Sequence, residues 1–232
     1  MMQRKSYFPL ILLAILALLF SDRWSGGCKG CRARTVYKPV IYLYPATETA
    51  VHVKIKYKGQ LTVTYPEYKN GWNVIAYPDG KLRDTLENKE YSYLFWEGKD
   101  SLAAPTNTVY DEGFIVKGDS THLFLQEKLA EMGMLPKEYN EFIVFWYPIL
   151  KQNPYNFIYF NVGEAYDEIS TMDIDPKPDA ILRIFMNYQP MDSWAKIPPQ
   201  QFAPFERKGF TVVEWGGGLF KQKVMVIQQL DN

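Results

Sequence analysis

Between Val40 and Gly98 the apolar residues come in short runs, each closed within a few positions by proline or glycine, and that spacing favours strands over helices. Residues 40–44 follow Pro39 and stop at Pro45. Residues 51–57 alternate strictly: Val51, Val53, Ile55 and Tyr57 on one face, His52, Lys54 and Lys56 on the other, the period of a half-buried strand. Residues 61–65 end at Pro66, 72–77 at the turn Pro78-Asp79-Gly80, and 91–97 at Gly98. Together these runs predict an antiparallel sandwich or small barrel over 38–98.

The pattern changes near residue 113. After a strand at 114–116, Gly118-Asp119-Ser120-Thr121 offers an N-cap. Leu125, Leu129 and Met132 then recur at spacings of four and three, which predicts an amphipathic helix over 120–132 with Gly133 just past its end. Leu135-Pro136 starts a second helix reaching about Trp146, which Pro148 ends or kinks. Strands follow at 157–162, 181–188, 210–215 and 224–228, and Gly216-Gly217-Gly218 reads as a turn. The expected class is α+β and β-rich. An antiparallel β part spans 38–112, an α+β part with two helices and several strands spans 113–232, and the two pack as one globular body.

The first 27 residues are of another kind. Residues 7–20, YFPLILLAILALLF, carry no charge and follow Arg4 and Lys5. A helix of that length measures about 21 Å at 1.5 Å per residue, against a hydrocarbon core of about 30 Å. That is short for a span and right for the apolar region of a signal peptide. Residues 1–27 are therefore a signal peptide or membrane anchor, and 28–37 a linker. Cys28, preceded by Gly26 and Gly27, is a candidate lipidation site, although Ser25 stands where such sites usually carry an aliphatic residue. A retained anchor is the alternative. The basic flank Arg23, Lys29, Arg32, Arg34 and Lys38 would then favour a cytoplasmic body. The length of the apolar run favours export. The expected setting is the bacterial cell envelope, with the lipid bilayer engaged through residues 7–20 and the body extracytoplasmic. With Cys28 and Cys31 the only cysteines, the body relies on its core rather than on disulfides.

Charge narrows the partners. The chain holds 26 basic and 26 acidic residues; beyond residue 27 these become 23 and 25, so no positive field invites nucleic acid. No GxSxG, P-loop, HExxH or GxGxxG occurs, and two histidines with two cysteines do not make a structural zinc site. No cofactor and no metal are expected. The residues that stand out are carboxylates beside aromatics at strand ends: Trp96-Glu97-Gly98, Glu214-Trp215-Gly216, and Glu141 opening the apolar stretch 142–147. A carboxylate against an indole face loses hydration and rises in pKa. Two of them about 5–10 Å apart in one cleft would perform acid/base hydrolysis of a glycoside. Glu97 and Glu214 are the candidate catalytic pair; Trp96, Trp215, Arg183 and Glu141 are the candidate ligand-binding residues. The competing reading buries Arg183 as the partner of one of these glutamates. Tyrosines cluster at strand positions, among them Tyr42, Tyr44, Tyr57, Tyr65, Tyr91 and Tyr93. A contiguous patch of them would be a binding face, and contiguity is not visible in spacing.

Several longer phrases occur together: KPVIYLYP at 38–45, GWNVIAYPDG at 71–80, YSYLFWEG at 91–98, NEFIVFW at 140–146, NPYN at 153–156 and GFTVVEWGG at 209–217. In this combination the chain resembles a family of uncharacterised bacterial proteins that often carry an N-terminal signal or anchor. The resemblance spans roughly 38–217 and implies no activity, cofactor or catalytic residue. The function expected is a membrane-tethered binding or structural module of the envelope, with a glycan or an envelope protein as partner. The rival is an envelope hydrolase acting on glycans through Glu97 and Glu214.

Overall fold

The computed structural model describes residues 34–100, 109–220 and 223–225. The expectations for residues 1–27 and for Cys28 lie outside the described residues. In chain order the strands are β1 (Arg34–Tyr44), β2 (Thr49–Tyr57), β3 (Gln60–Tyr65), β4 (Trp72–Ala76), β5 (Leu82–Asp84), β6 (Glu90–Tyr91), β7 (Leu94–Asp100), β8 (Val109–Tyr110), β9 (Phe114–Lys117), β10 (Tyr155–Val162), β11 (Ser170–Asp175), β12 (Ala180–Met191), β13 (Thr211–Leu219) and β14 (Lys223–Val224). The helices are α1 (Thr121–Glu131), α2 (Pro136–Leu150) and α3 (Glu164–Asp167).

Seven strands form one sheet in the order β3-β7-β1-β13-β12-β10-β9, and five form a second in the order β11-β2-β4-β5-β6. The α+β, strand-rich class read from the sequence is the class observed. Each sheet draws strands from before and after residue 113. In the larger sheet β1 pairs with β13, residue 41 opposite 214, and in the smaller β2 pairs with β11, residue 55 opposite 172. The central strands of the larger sheet are covered on both faces, so they read as apolar runs rather than as alternation. On one face Ile41, Leu43, Leu94, Trp96, Phe185 and Val212 meet Val51, Val53, Trp72 and Val74 of the smaller sheet. On the other, Val40, Tyr42, Ile184, Met186, Val213 and Trp215 meet Leu125 and Leu129 of α1 and Phe142 and Trp146 of α2. The result is three layers with two cores.

Local sequence explains most of these elements. In β2 the residues at 51, 53 and 55 are buried, as the alternation requires. Helix α2 begins with Pro136 and a reciprocal cap: Glu138, fully buried, accepts the Leu135 backbone N–H at 2.7 Å and takes a second bond from Arg207. Pro148 does not end this helix. It stands exposed in the last turn, four residues after exposed Val144, so the i to i−4 bond that its missing N–H forgoes lies on the solvent side of the helix.

Two expectations are corrected. β1 starts at Arg34, inside the stretch 28–37 expected as a linker. Gly216-Gly217-Gly218 is no turn; it is the interior of β13. At Gly217 the neighbours come too close for a side chain. A Cβ on Gly217 would sit 2.5 Å from the Trp146 ring and 2.8 Å from the Met186 carbonyl oxygen. Gly217→Ala is therefore expected to destabilise the body by about 1–3 kcal/mol through overpacking, which thermal unfolding would register as a drop of several degrees. An unchanged melting temperature would mean that the indole does not lie on this strand.

Candidate functional site

Glu214 lies at the centre of β13 with no exposure to solvent. Its Oε1 accepts the Trp96 indole N–H at 3.1 Å, and its Oε2 accepts Arg183 Nε at 2.7 Å and the guanidinium Nη2 at 2.6 Å. Arg183, one strand away and opposite Glu214 in parallel register, also donates to Asp167, to the Ser170 carbonyl at 2.8 Å and to Ser170 Oγ at 3.1 Å. Its guanidinium carbon stacks 4.2 Å from the Tyr166 ring centroid. Every donor of this cation meets an acceptor or a π face, which is what a buried charge needs. Trp96, Arg183 and Glu214 are thus an internal support between the two sheets.

Glu97 points the other way. Successive side chains of a strand alternate faces, so Glu97, next to Trp96, leaves the inter-sheet core for the helix side of the sheet. There its Oε1 accepts the Lys38 backbone N–H at 3.3 Å. The Lys38 ammonium lies 5.2 Å from the Phe145 ring centroid and 5.9 Å from that of Trp215, which marks this as the helix face. The thickness of the sheet separates Glu97 from Glu214. The structure does not bring the expected acid and base into one cleft, so paired-glutamate hydrolysis has no common site in which to act. Trp96 and Trp215 are both fully buried and offer no ring face to a ligand.

Glu141 is the sequence candidate that reaches a cleft. The chain leaves the smaller sheet at β6 and enters the larger one at β7, a break at Ser92-Tyr93 inside what the sequence presents as one strand. At this crossing an open cleft of about 670 Å³ lies between the turn carrying Asp79, Gly80 and Lys81, the segment Glu90–Tyr93, and Tyr42, Lys137 and Glu141. Tyr65, at the end of edge strand β3, completes the lining with a side chain 60% exposed.

Four tyrosines form the aromatic part of this cleft, in two edge-on pairs. Tyr42 and Tyr93 meet at 5.5 Å and 72°, Tyr65 and Tyr91 at 5.1 Å and 79°. Glu141 Oε2 accepts the Tyr42 hydroxyl at 3.2 Å. Burial pushes the Tyr42 phenol far above its ordinary range, and the Glu141 charge adds to the rise; the Trp215 indole N–H opposes it. Burial and Glu141 raise Tyr93 in the same order. Both hydroxyls stay protonated, and the Tyr42 proton is donated to Glu141. Trp215, expected at the ligand, is buried in the helix-side core with Tyr42.

The charged rim is tied down. Lys81 Nζ pairs with Glu90 at 3.1 Å, and its backbone N–H bonds Asp79 Oδ1 at 2.9 Å. Lys137 Nζ donates to the Asp79 carbonyl at 2.7 Å and lies 4.5 Å from the Tyr44 ring centroid, which fastens the 77–81 turn to the start of α2. The cleft offers ring faces, hydroxyl donors and carboxylate acceptors, the combination that binds polyhydroxylated molecules. Tyr65, Tyr91 and Tyr93 were visible in the sequence as strand tyrosines; what the sequence lacks is the sheet crossing that gathers them. Among the described residues no three His, Cys, Asp or Glu side chains gather where a metal ion could be held, and no helix is long and apolar enough to cross a membrane.

A 93-residue stretch of the chain is 42% identical to a protein of Butyrivibrio fibrisolvens described as an uncharacterized protein in the bglA 3' region, a match taking in 37% of this chain and 95% of the relative. No family model matches the chain. No solved structure matches it.

Proposed function

The chain belongs to the family of the Butyrivibrio fibrisolvens protein, and from that premise we propose that it is a binding module of the bacterial cell envelope whose cleft at Glu141 holds a glycan. The observation that carries this reading is Tyr65: a 60% exposed ring, braced edge-on by Tyr91, at the mouth of a cleft that also holds a carboxylate and protonated phenols. A sugar's apolar face stacks on such a ring while its hydroxyls reach the acceptors behind it. Tethering to the membrane through residues 7–20, with lipid on Cys28 or a retained anchor, belongs to the same proposal and is supported by the sequence alone. Mass spectrometry of the mature N-terminus distinguishes the two, and recovery of an unmodified chain from the soluble fraction would contradict both.

The glycan reading is tested by retention of the full chain on immobilised polysaccharides: cellulose and xylan as neutral polymers, chitosan as an amino polymer, chitin as an N-acetylated one and alginate as an anionic one. Retention is expected on at least one, and Tyr65→Ala is expected to weaken it about tenfold, the scale of an aromatic anchor worth 1–2 kcal/mol. Because Tyr65 is exposed, that change leaves stability within about 0.5 kcal/mol. Retention on none of them, or retention indifferent to Tyr65, would overturn the reading.

A further inference from the structure

We propose that the group seated at Glu141 is a cation, and that the ligand is an amino glycan with free ammonium groups; the inference rests on the cleft being a glycan site. The pairs Tyr42–Tyr93 and Tyr65–Tyr91 both border the cleft, and because Tyr42 and Tyr91 are buried in the cores, the ring faces open to a ligand are those of Tyr65 and Tyr93. Ring faces are the negative part of the aromatic quadrupole and attract ammonium groups, best when several surround one cation and water is thinned.

The charges in the cleft point the same way. Three carboxylates line it, Asp79, Glu90 and Glu141, against two ammonium groups, Lys81 and Lys137. Lys81 is engaged by Glu90 and by the Tyr77 ring 4.8 Å away, and Lys137 by the Asp79 carbonyl and the Tyr44 ring. Glu141 has the neutral Tyr42 hydroxyl as its donor and makes no ion pair with a lysine or arginine among the described residues. A neutral sugar leaves that carboxylate charge uncompensated beside the rings. An anionic sugar is repelled by it. A protonated amino sugar places its ammonium against the carboxylate and the ring faces, and its hydroxyls against the phenols.

The test is calorimetric titration of the full chain at about pH 5.5, where the sugar amine is protonated. The probes are β-1,4-linked hexamers of glucosamine, N-acetylglucosamine and glucose, with hexalysine as a cation that is no sugar. The glucosamine hexamer is expected to bind about tenfold tighter than either neutral hexamer. Glu141→Gln brings the three hexamers to near parity, and a tenfold rise in salt shrinks the advantage for the unaltered chain. Equal or tighter binding of the neutral hexamers overturns the cationic ligand and leaves the glycan cleft standing. Equal binding of hexalysine, also sensitive to Glu141→Gln, overturns the amino glycan in favour of a protein lysine. Binding of no hexamer, with Tyr65-dependent retention on xylan or alginate, overturns the inference alone; no Tyr65-dependent retention anywhere overturns the glycan reading with it.

Discussion

Replacing Arg183 with methionine is expected to lower the unfolding free energy by about 3–5 kcal/mol, the cost of leaving one member of a buried ion pair without its partner. Glu214 is fully buried and takes two bonds from the guanidinium. Without them its charge keeps a single donor, the Trp96 indole, in a core made of Trp96, Phe185 and Tyr166. Ser170 loses two donors at the same time. Asp167 is half exposed, so water replaces the guanidinium there at little cost. The paired change Arg183→Met with Glu214→Leu removes both charges, and most of the loss is expected to return, because an apolar pair of similar volume replaces a buried ion pair at small cost. Urea denaturation of the two variants checks this. A loss below about 1 kcal/mol for Arg183→Met would place Arg183 at the surface and contradict its role between the sheets.

The second large effect belongs to the other core. Trp146 is fully buried under the helices, with ring centroids of Phe145, Tyr188 and Phe142 at 5.0, 5.7 and 6.2 Å. Its indole lies on the side-chain-free surface of Gly217. Trp146→Ala is expected to cost about 3–5 kcal/mol, since β13 carries no side chain there that could move into the space. For a body of this size the melting temperature would fall by about 10 °C. A fall of under about 2 °C would show that the helix layer is not packed on the glycine strand. Sites in two cores that share no partner are expected to add, so Arg183→Met and Trp146→Ala together should cost about 6–10 kcal/mol, enough to unfold at 25 °C a body in the lower half of the typical 5–15 kcal/mol range.

The fold was legible where burial is one-sided. Residues 51–57 alternate because β2 has one face on the core, and Leu125, Leu129 and Met132 repeat at helical spacing because α1 has one buried stripe. It was less legible where the partner, not the sequence, decides. Gly216-Gly217-Gly218 has the composition of a turn, and only its pairing with β12 and β1, strands distant in the chain, makes it a strand. Residues 91–97 have the composition of one strand, and only the division between two sheets breaks them at Ser92-Tyr93. β5, β11 and α3 are too short or too polar to show a period of their own.

The candidate site divided the same way. That Arg183 is buried against a glutamate could be argued from the cost of an unpaired charge, and the geometry is of that kind. That Glu97 and Glu214 face opposite ways follows from the pairing of Glu214 with Trp96 and from alternation along β7, which becomes informative once the neighbouring strand is known. Glu141 reached the cleft through its place on α2. The tyrosines around it come from β1, β3 and the β6–β7 crossing, and no local pattern links those segments.

On the function proposed above, a ligand meets this protein at the tyrosine cleft beside Glu141. Hydroxyl-radical footprinting of the full chain with and without a saturating glucosamine hexamer tests it most directly, because the exposed ring of Tyr65 is oxidised readily in the free protein. Protection is expected at Tyr65 and Tyr93, with Trp194, another ring more than half exposed, unchanged. Protection of Trp194 with the cleft tyrosines unaffected would contradict the claim.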